Sequence, residues 1–214
     1  MTTRALDVRV DTRSRRYDPA ETRLRVLAAA NMLFSSRGFG GTGTADIARE
    51  ADVSEGSIFY HFGSKKNLLA ELGRSYGEAM IVAMQQDDRL EDLDAAIIIP
   101  RVLEFCRTNN LWEQITGSEC AVGVPAIVKN ADGEPFYKAS KETTTAWITH
   151  QMQVSLAHRG ITGIDIPMAA SFTHHVVGDA IELFLTAPDE VAQRRVVAET
   201  VRFVSAACGY PIAQ

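Results

Sequence analysis

Cysteine is scarce in this chain. Cys106, Cys120 and Cys208 are an odd number without metal-ligand spacing. That argues against a disulfide framework and for small buried apolar residues in a reducing compartment. Long hydrophobic runs are also lacking. A run such as AAIIIP at 95–100 falls far short of the ~20 residues a membrane span needs. The N-terminus has no apolar h-region, so no secretory signal is expected and the expected location is the cytoplasm. Alternating strand patterns of useful length are missing, which turns the reading towards helices. A nucleophile elbow, a Walker loop, GxGxxG and HExxH are absent too, and an enzyme is not expected. Finally, the chain has no overall basic excess. Its net charge is −5, which looks wrong for a partner of nucleic acid.

What is present changes that last point. Residues 1–66 hold 11 basic and 8 acidic side chains, a local charge of +3, whereas residues 67–214 carry −8. DNA binding needs a local basic footprint rather than a basic whole. At 46% hydrophobic and 23% charged, the 214 residues can bury a sizeable core. The organisation predicted is a flexible basic arm over 1–20 with Arg4, Arg9, Arg13, Arg15 and Arg16, a small helical module over 21–66, and a larger helical domain over 67–214. The fold class is all-α.

From Glu21 the apolar residues Leu24, Leu27, Ala28, Leu33 and Phe34 recur at helical spacing, and Gly38 is a natural stop. Thr42 or Thr44 can cap a second helix to about Ala51, with Ile47, Ala48 and Ala51 inward. The turn Asp52-Val53-Ser54 follows. Ser54 can cap a third helix from Glu55 to Phe62, with Ile58 and Phe62 in the core. That leaves Glu55, Ser57, Phe59, Tyr60 and His61 outward or at the edges, a face suited to phosphates and base edges. Ser64 caps a fourth helix in which Gly73 and Gly77 mark close packing or a bend.

Further helices are expected over Leu90–Asn109, with Pro100 kinking or interrupting it; Pro135–His158; about 166–186, capped by Asp165; and 189 to near Gly209. A short segment at Leu111–Gly117 and a loop over 118–134 lie between. No internal repeat is evident.

The segments LAAANMLFSSRGF (27–39) and TADIAREADVSEGSIFYHFGSKKNLL (44–69) resemble the N-terminal DNA-binding domain of the TetR (tetracycline-repressor) family. Turn, core positions and the following Ser-Lys agree in register. The resemblance implies that Ser54, Gly56, Ser57, Phe59, Tyr60 and His61, with Glu55 among them, present a face to the major groove. It also implies that Lys65 and Thr42 or Thr44 meet phosphates. Asp52 stands where Gly is commoner, and Asp tolerates the left-handed conformation. Glu55 stands where a basic or neutral residue is frequent; it either points away or reads a cytosine amino group. Lys65→Ala is expected to weaken operator binding without moving the thermal midpoint.

Beyond the module, the resemblance implies a helical ligand-binding body and a homodimer joined through the last two helices. Ala170, His174, Gly178, Ile181 and Val201 are the candidate interface positions. Phe105, Trp112, Phe136, Tyr137, Trp147, Met152, Phe172 and His175 are candidates for a pocket taking a largely apolar or aromatic effector. Adjacent His174 and His175 point in different directions, so no metal is called for, and no cofactor either. The function implied is a repressor released from a palindromic double-stranded DNA operator by a small molecule. A small-molecule binding protein with a degenerate helix-turn-helix, or an activator, remains open.

Overall fold

The computed structural model describes residues 18–109 and 133–210, and among these the chain forms eight helices and no strands. The arm up to residue 17, Trp112, Cys120, and the segments expected over 111–117 and most of 118–134 lie outside the described residues. Among the described residues no helix is long and apolar enough to cross a membrane.

Three helices build a small head. α1 spans Pro19–Arg37, α2 Thr44–Glu50 and α3 Glu55–Phe62. α1 begins two residues before the expected Glu21. The carboxylate of Asp18 accepts from the N–H groups of Ala20 and Glu21, and Pro19 fits the first turn. Gly38 stops it at φ 71°. The buried stripe of α1 is Val26, Ala29, Ala30, Leu33 and Phe34, whereas Leu24 is exposed and Leu27 only packs at the edge. The expected stripe is therefore rotated, with Val26, Ala29 and Ala30 turned into the head's core beside Leu33 and Phe34.

α4 (Lys65–Gln85) leaves the head and enters the body. There it packs along α6 (Glu134–His158), the most extensive helix pair in the fold. Gly73 and Gly77 permit this approach. A Cβ on Gly73 would lie 2.7 Å from the Phe136 Cα and carbonyl carbon, and one on Gly77 would lie 3.1 Å from Thr143 Cβ. The close-packing alternative for these glycines is the one realised. As a result Phe136 joins the head's core with Leu69 and Leu72, although it is far away in sequence.

α5 runs over Ala95–Thr108 from an Asp94 cap and continues through Pro100. Pro100 removes one intrahelical N–H donor. Burial of Ile99, Val102, Leu103 and Cys106 along the same helix offsets that loss. Polar side chains of α6 and its C-cap hold the link between α4 and α5. Gln151 Nε2 and Ser155 Oγ donate to the Leu93 carbonyl at 2.9 and 3.0 Å, and Arg159 donates to those of Glu91 and Asp92. α7 (Ile166–Leu185) and α8 (Glu190–Cys208) complete the body, capped by Asp165 and Asp189 and followed, after α8, by Gly209 at φ 69°.

Candidate nucleic-acid interface

The turn between α2 and α3 is set by local chemistry. Asp52 adopts φ 52°, and Val53 N–H returns to the Ala48 carbonyl at 3.0 Å, closing the corner over Val53. Ser54 Oγ accepts from the Ser57 N–H at 3.1 Å and lies 2.8 Å from Ser57 Oγ. This caps α3 and fixes its start. With Ile58 and Phe62 buried, the opposite face of α3 projects outward. Tyr60 is 77% exposed, Phe59 49%, and Glu55 and Gly56 are exposed. Ser57 and His61 sit at the edge of that face, and the rings of Tyr60 and His61 meet edge to face at 5.1 Å.

Several residues take roles the sequence did not disclose. Thr42 is 1% exposed, and its hydroxyl donates to the Gly38 and Leu33 carbonyls at 2.9 and 3.2 Å. It ties the α1–α2 turn internally and presents no side chain to a phosphate. Neither Thr42 nor Thr44 caps α2. Gly43 is the cap position, and the Asp46 carboxylate accepts from its N–H at 3.3 Å. Bonding to Arg49 and to that N–H holds the Asp46 carboxyl below the usual range. Thr44 instead donates its hydroxyl to Glu55 Oε1 across the two helices.

Lys65 is likewise not a free cation. Its Nζ donates to the carbonyls of Phe39 and Thr42, both at 2.9 Å, and lies 4.2 Å from the centroid of the Phe39 ring. An ammonium has three donors, so at most one remains for a phosphate. Lys66, the next residue, stands exposed without an ion pair among the described residues; only its place beside Lys65 could have singled it out. Arg23 makes a comparable tie. It pairs with Glu71, donates to the His61 carbonyl at 3.4 Å and stacks over Phe62 at 4.7 Å, joining α1, α3 and α4.

The candidate body residues divide. Phe105 and Trp147 are half-buried. The Phe105 ring lies 5.3 Å from Tyr76, and Trp147 Nε1 donates to Gln85 Oε1 at 3.3 Å. Met152 is buried in the body core. Phe136 belongs to the head's core instead of a body pocket. Phe172 (63% exposed) and His175 are exposed on α7, and His175 Nε2 lies 3.2 Å from Lys141 Nζ of α6. Tyr137 is half-buried beside His174, with ring centroids 6.4 Å apart. Burial, with Lys141 and His175 nearby, pushes the His174 imidazole down to about 4. Burial also raises the Tyr76 hydroxyl and pushes the Cys106 thiol up to about 12.

Of the candidate interface positions, Ala170 and Ile181 are buried inside their own chain and have no surface to offer a partner. Val201 packs partly on the body core, and His174 Nδ1 lies 3.4 Å from Thr144 Oγ1. Gly178 faces open space. The exposed apolar side chains nearby are Met168, Phe172 and Leu183 on α7 and Val191 and Phe203 on α8.

A short capped helix held across another, its polar face turned out, on a separate helical body, defines the helix-turn-helix class of DNA-binding modules. Residues 26–72 match the family described as bacterial regulatory proteins, tetR family. The regulator ArpR of Pseudomonas putida is 34% identical over 84 residues, which span 38% of this chain but only 40% of ArpR. LmrA of Bacillus subtilis (strain 168), another HTH-type transcriptional regulator, is 28% identical over 170 residues, 78% of this chain and 88% of LmrA. The solved structure of RolR in complex with resorcinol superposes with a TM-score of 0.58 at 19% identity, covering 92% of this chain and 97% of that one. The head therefore carries the N-terminal module of the TetR family of bacterial regulators, and the chain as a whole shares the fold of solved structures of that family.

Proposed function

We propose that the chain is a homodimeric transcriptional repressor that leaves its DNA operator when a small molecule binds the body. The observation that carries the reading is the outward face of α3, where Tyr60 stands 77% exposed beside Ser57 on a helix whose other side is buried. A large aromatic hydroxyl displayed on a rigid short helix has little to do in water and much to do in a major groove.

The exposed apolar side chains of α7 and α8 support a two-fold pairing of these helices into a four-helix bundle. Two heads would then reach successive major grooves about 34 Å apart. The half-buried aromatic groups Tyr76 and Phe105, in contact between α4 and α5, and Trp147, bonded from α6 to the end of α4, favour an apolar or aromatic effector. RolR, which shares the fold, holds the small aromatic resorcinol. The effector acts only through its differential affinity for the two states. About 3 kcal/mol of coupling weakens operator binding roughly 150-fold.

Electrophoretic mobility shift on the DNA upstream of the coding region is the test. A shift at low salt that Tyr60→Ala weakens about tenfold or more is expected. Absence of any shift at micromolar chain would sink the reading.

A further inference from the structure

Glu55 is the residue of the α3 face that opposes phosphate binding. It is the first residue of α3 and exposed, and no basic side chain of the described residues pairs with it. Three cations nearby in sequence are engaged elsewhere, and Lys66 has no ion pair with Glu55 among the described residues. Arg49 pairs with Asp46, Arg25 with Asp52, and Lys65 with two carbonyls. An unpaired carboxylate next to a polyanion weakens attraction at any sequence. Its orientation is nevertheless held, because Oε1 accepts the Thr44 hydroxyl from the first turn of α2. One oxygen is thus fixed, and among the described residues nothing holds the other.

We infer that Glu55 is a specificity-determining residue that accepts a hydrogen bond from a cytosine amino group in each half-site. The inference rests on the DNA-binding reading above. An ionised carboxylate only accepts, and the major groove offers two amino donors, cytosine N4 and adenine N6. On adenine the N7 acceptor lies beside N6 and repels a second carboxylate oxygen. On cytosine the neighbouring edge is the C5–H, which does not. Guanine and thymine present only acceptors and a methyl group there. Anchoring by Thr44 restricts the side-chain rotamers before DNA arrives, so less freedom is lost on contact. Glu55 therefore lowers affinity for every duplex and lowers it least where a cytosine stands opposite.

Selection from randomised DNA duplexes, followed by affinity measurement on each single-base variant of the enriched site, tests this for the wild type, Glu55→Ala, Glu55→Gln and Thr44→Val. The wild type is expected to show one position per half-site where replacing cytosine weakens binding about tenfold or more. Glu55→Ala should reduce that ratio to below about threefold, leave the other positions as selective as before, and bind scrambled duplex more tightly. Glu55→Gln should move the preference towards adenine, whose N6 and N7 suit an amide. Thr44→Val, which keeps shape and removes the donor, should retain the preference in weakened form. If Glu55→Ala tightens binding equally on all duplexes and leaves every base preference unchanged, Glu55 is a repulsive charge and nothing more. If the wild type enriches no sequence, the regulator reading itself fails and this inference with it.

Discussion

The head and the body both combine an apolar core with side-chain ties to backbone carbonyls, but they differ in the surface they leave exposed. In the head, charged and hydroxyl side chains close the fold. Lys65 and Thr42 bind backbone carbonyls of the α1–α2 turn, Arg23 joins three helices, and Ser54 and Ser64 cap two of them. The body packs along long helices, and it leaves Met168, Phe172, Leu183, Val191 and Phe203 uncovered. The head is thus built to hold a small, precise surface, whereas the body has an apolar surface that only a further layer would bury. Phe136 crosses the division, reaching from α6 into the core of the head.

The largest effect is expected where the division is crossed. Phe136→Ala should destabilise the chain by about 3–5 kcal/mol, as large-to-small core changes do. Amide hydrogen exchange should then accelerate in α1 and α3 as well as in α6. Acceleration confined to α6 would restore a clean separation of head and body. Gly73→Ala attacks the same junction from the other helix, with its Cβ driven into the Phe136 backbone, and should cost about 1–3 kcal/mol.

Lys65→Met should come next, at about 1.5–3 kcal/mol, since it removes charge-assisted bonds to two carbonyls. This revises the expectation that losing Lys65 leaves the thermal midpoint alone. Scanning calorimetry that finds the midpoint unchanged would return Lys65 to the role of a simple phosphate contact.

His174 gives a pH-dependent effect on the body. Its folded value of about 4 lies below the ordinary 6.5, so the unfolded chain binds the extra proton first. Stability on the order of 2 kcal/mol is then present above pH 6.5 and lost as pH falls from 6.5 towards 4. Urea midpoints at pH 7 and pH 5 should differ less in His174→Gln than in the wild type. Smallest of all, Tyr60→Ala should change stability by less than about 0.5 kcal/mol while weakening DNA binding. A larger loss of stability would make Tyr60 part of the head's packing.

The difference between the regions also governs what could be read without coordinates. In the head the signals are local. Ser54 and Ser64 sit at their caps, Gly38 and Gly63 at positive φ, Asp52 in the left-handed turn, and Ile47, Ala48, Ile58 and Phe62 face inward as their spacing demands. What stayed hidden there depends on contacts distant in sequence. The Lys65 tether reaches back to Phe39 over 26 positions, and Phe136 arrives from another helix. In the body the helices were legible from caps such as Asp165, but not which face of each turns inward. Phe172 and Ala170 are two positions apart on α7, both apolar, yet one is outside and the other fully buried. Composition alone cannot tell such residues apart; the neighbouring helices decide.

The shared phenylalanine bears on how the chain is made. Phe136 follows Leu72 by 64 residues, which at about 5–20 residues per second takes roughly 3–13 s of synthesis. During that interval the head can form its helices and its turn, but its core has a gap where the ring will sit. Closure of the head's core therefore waits for α6 to emerge, and a nascent chain paused before that point carries a head whose core is not yet sealed.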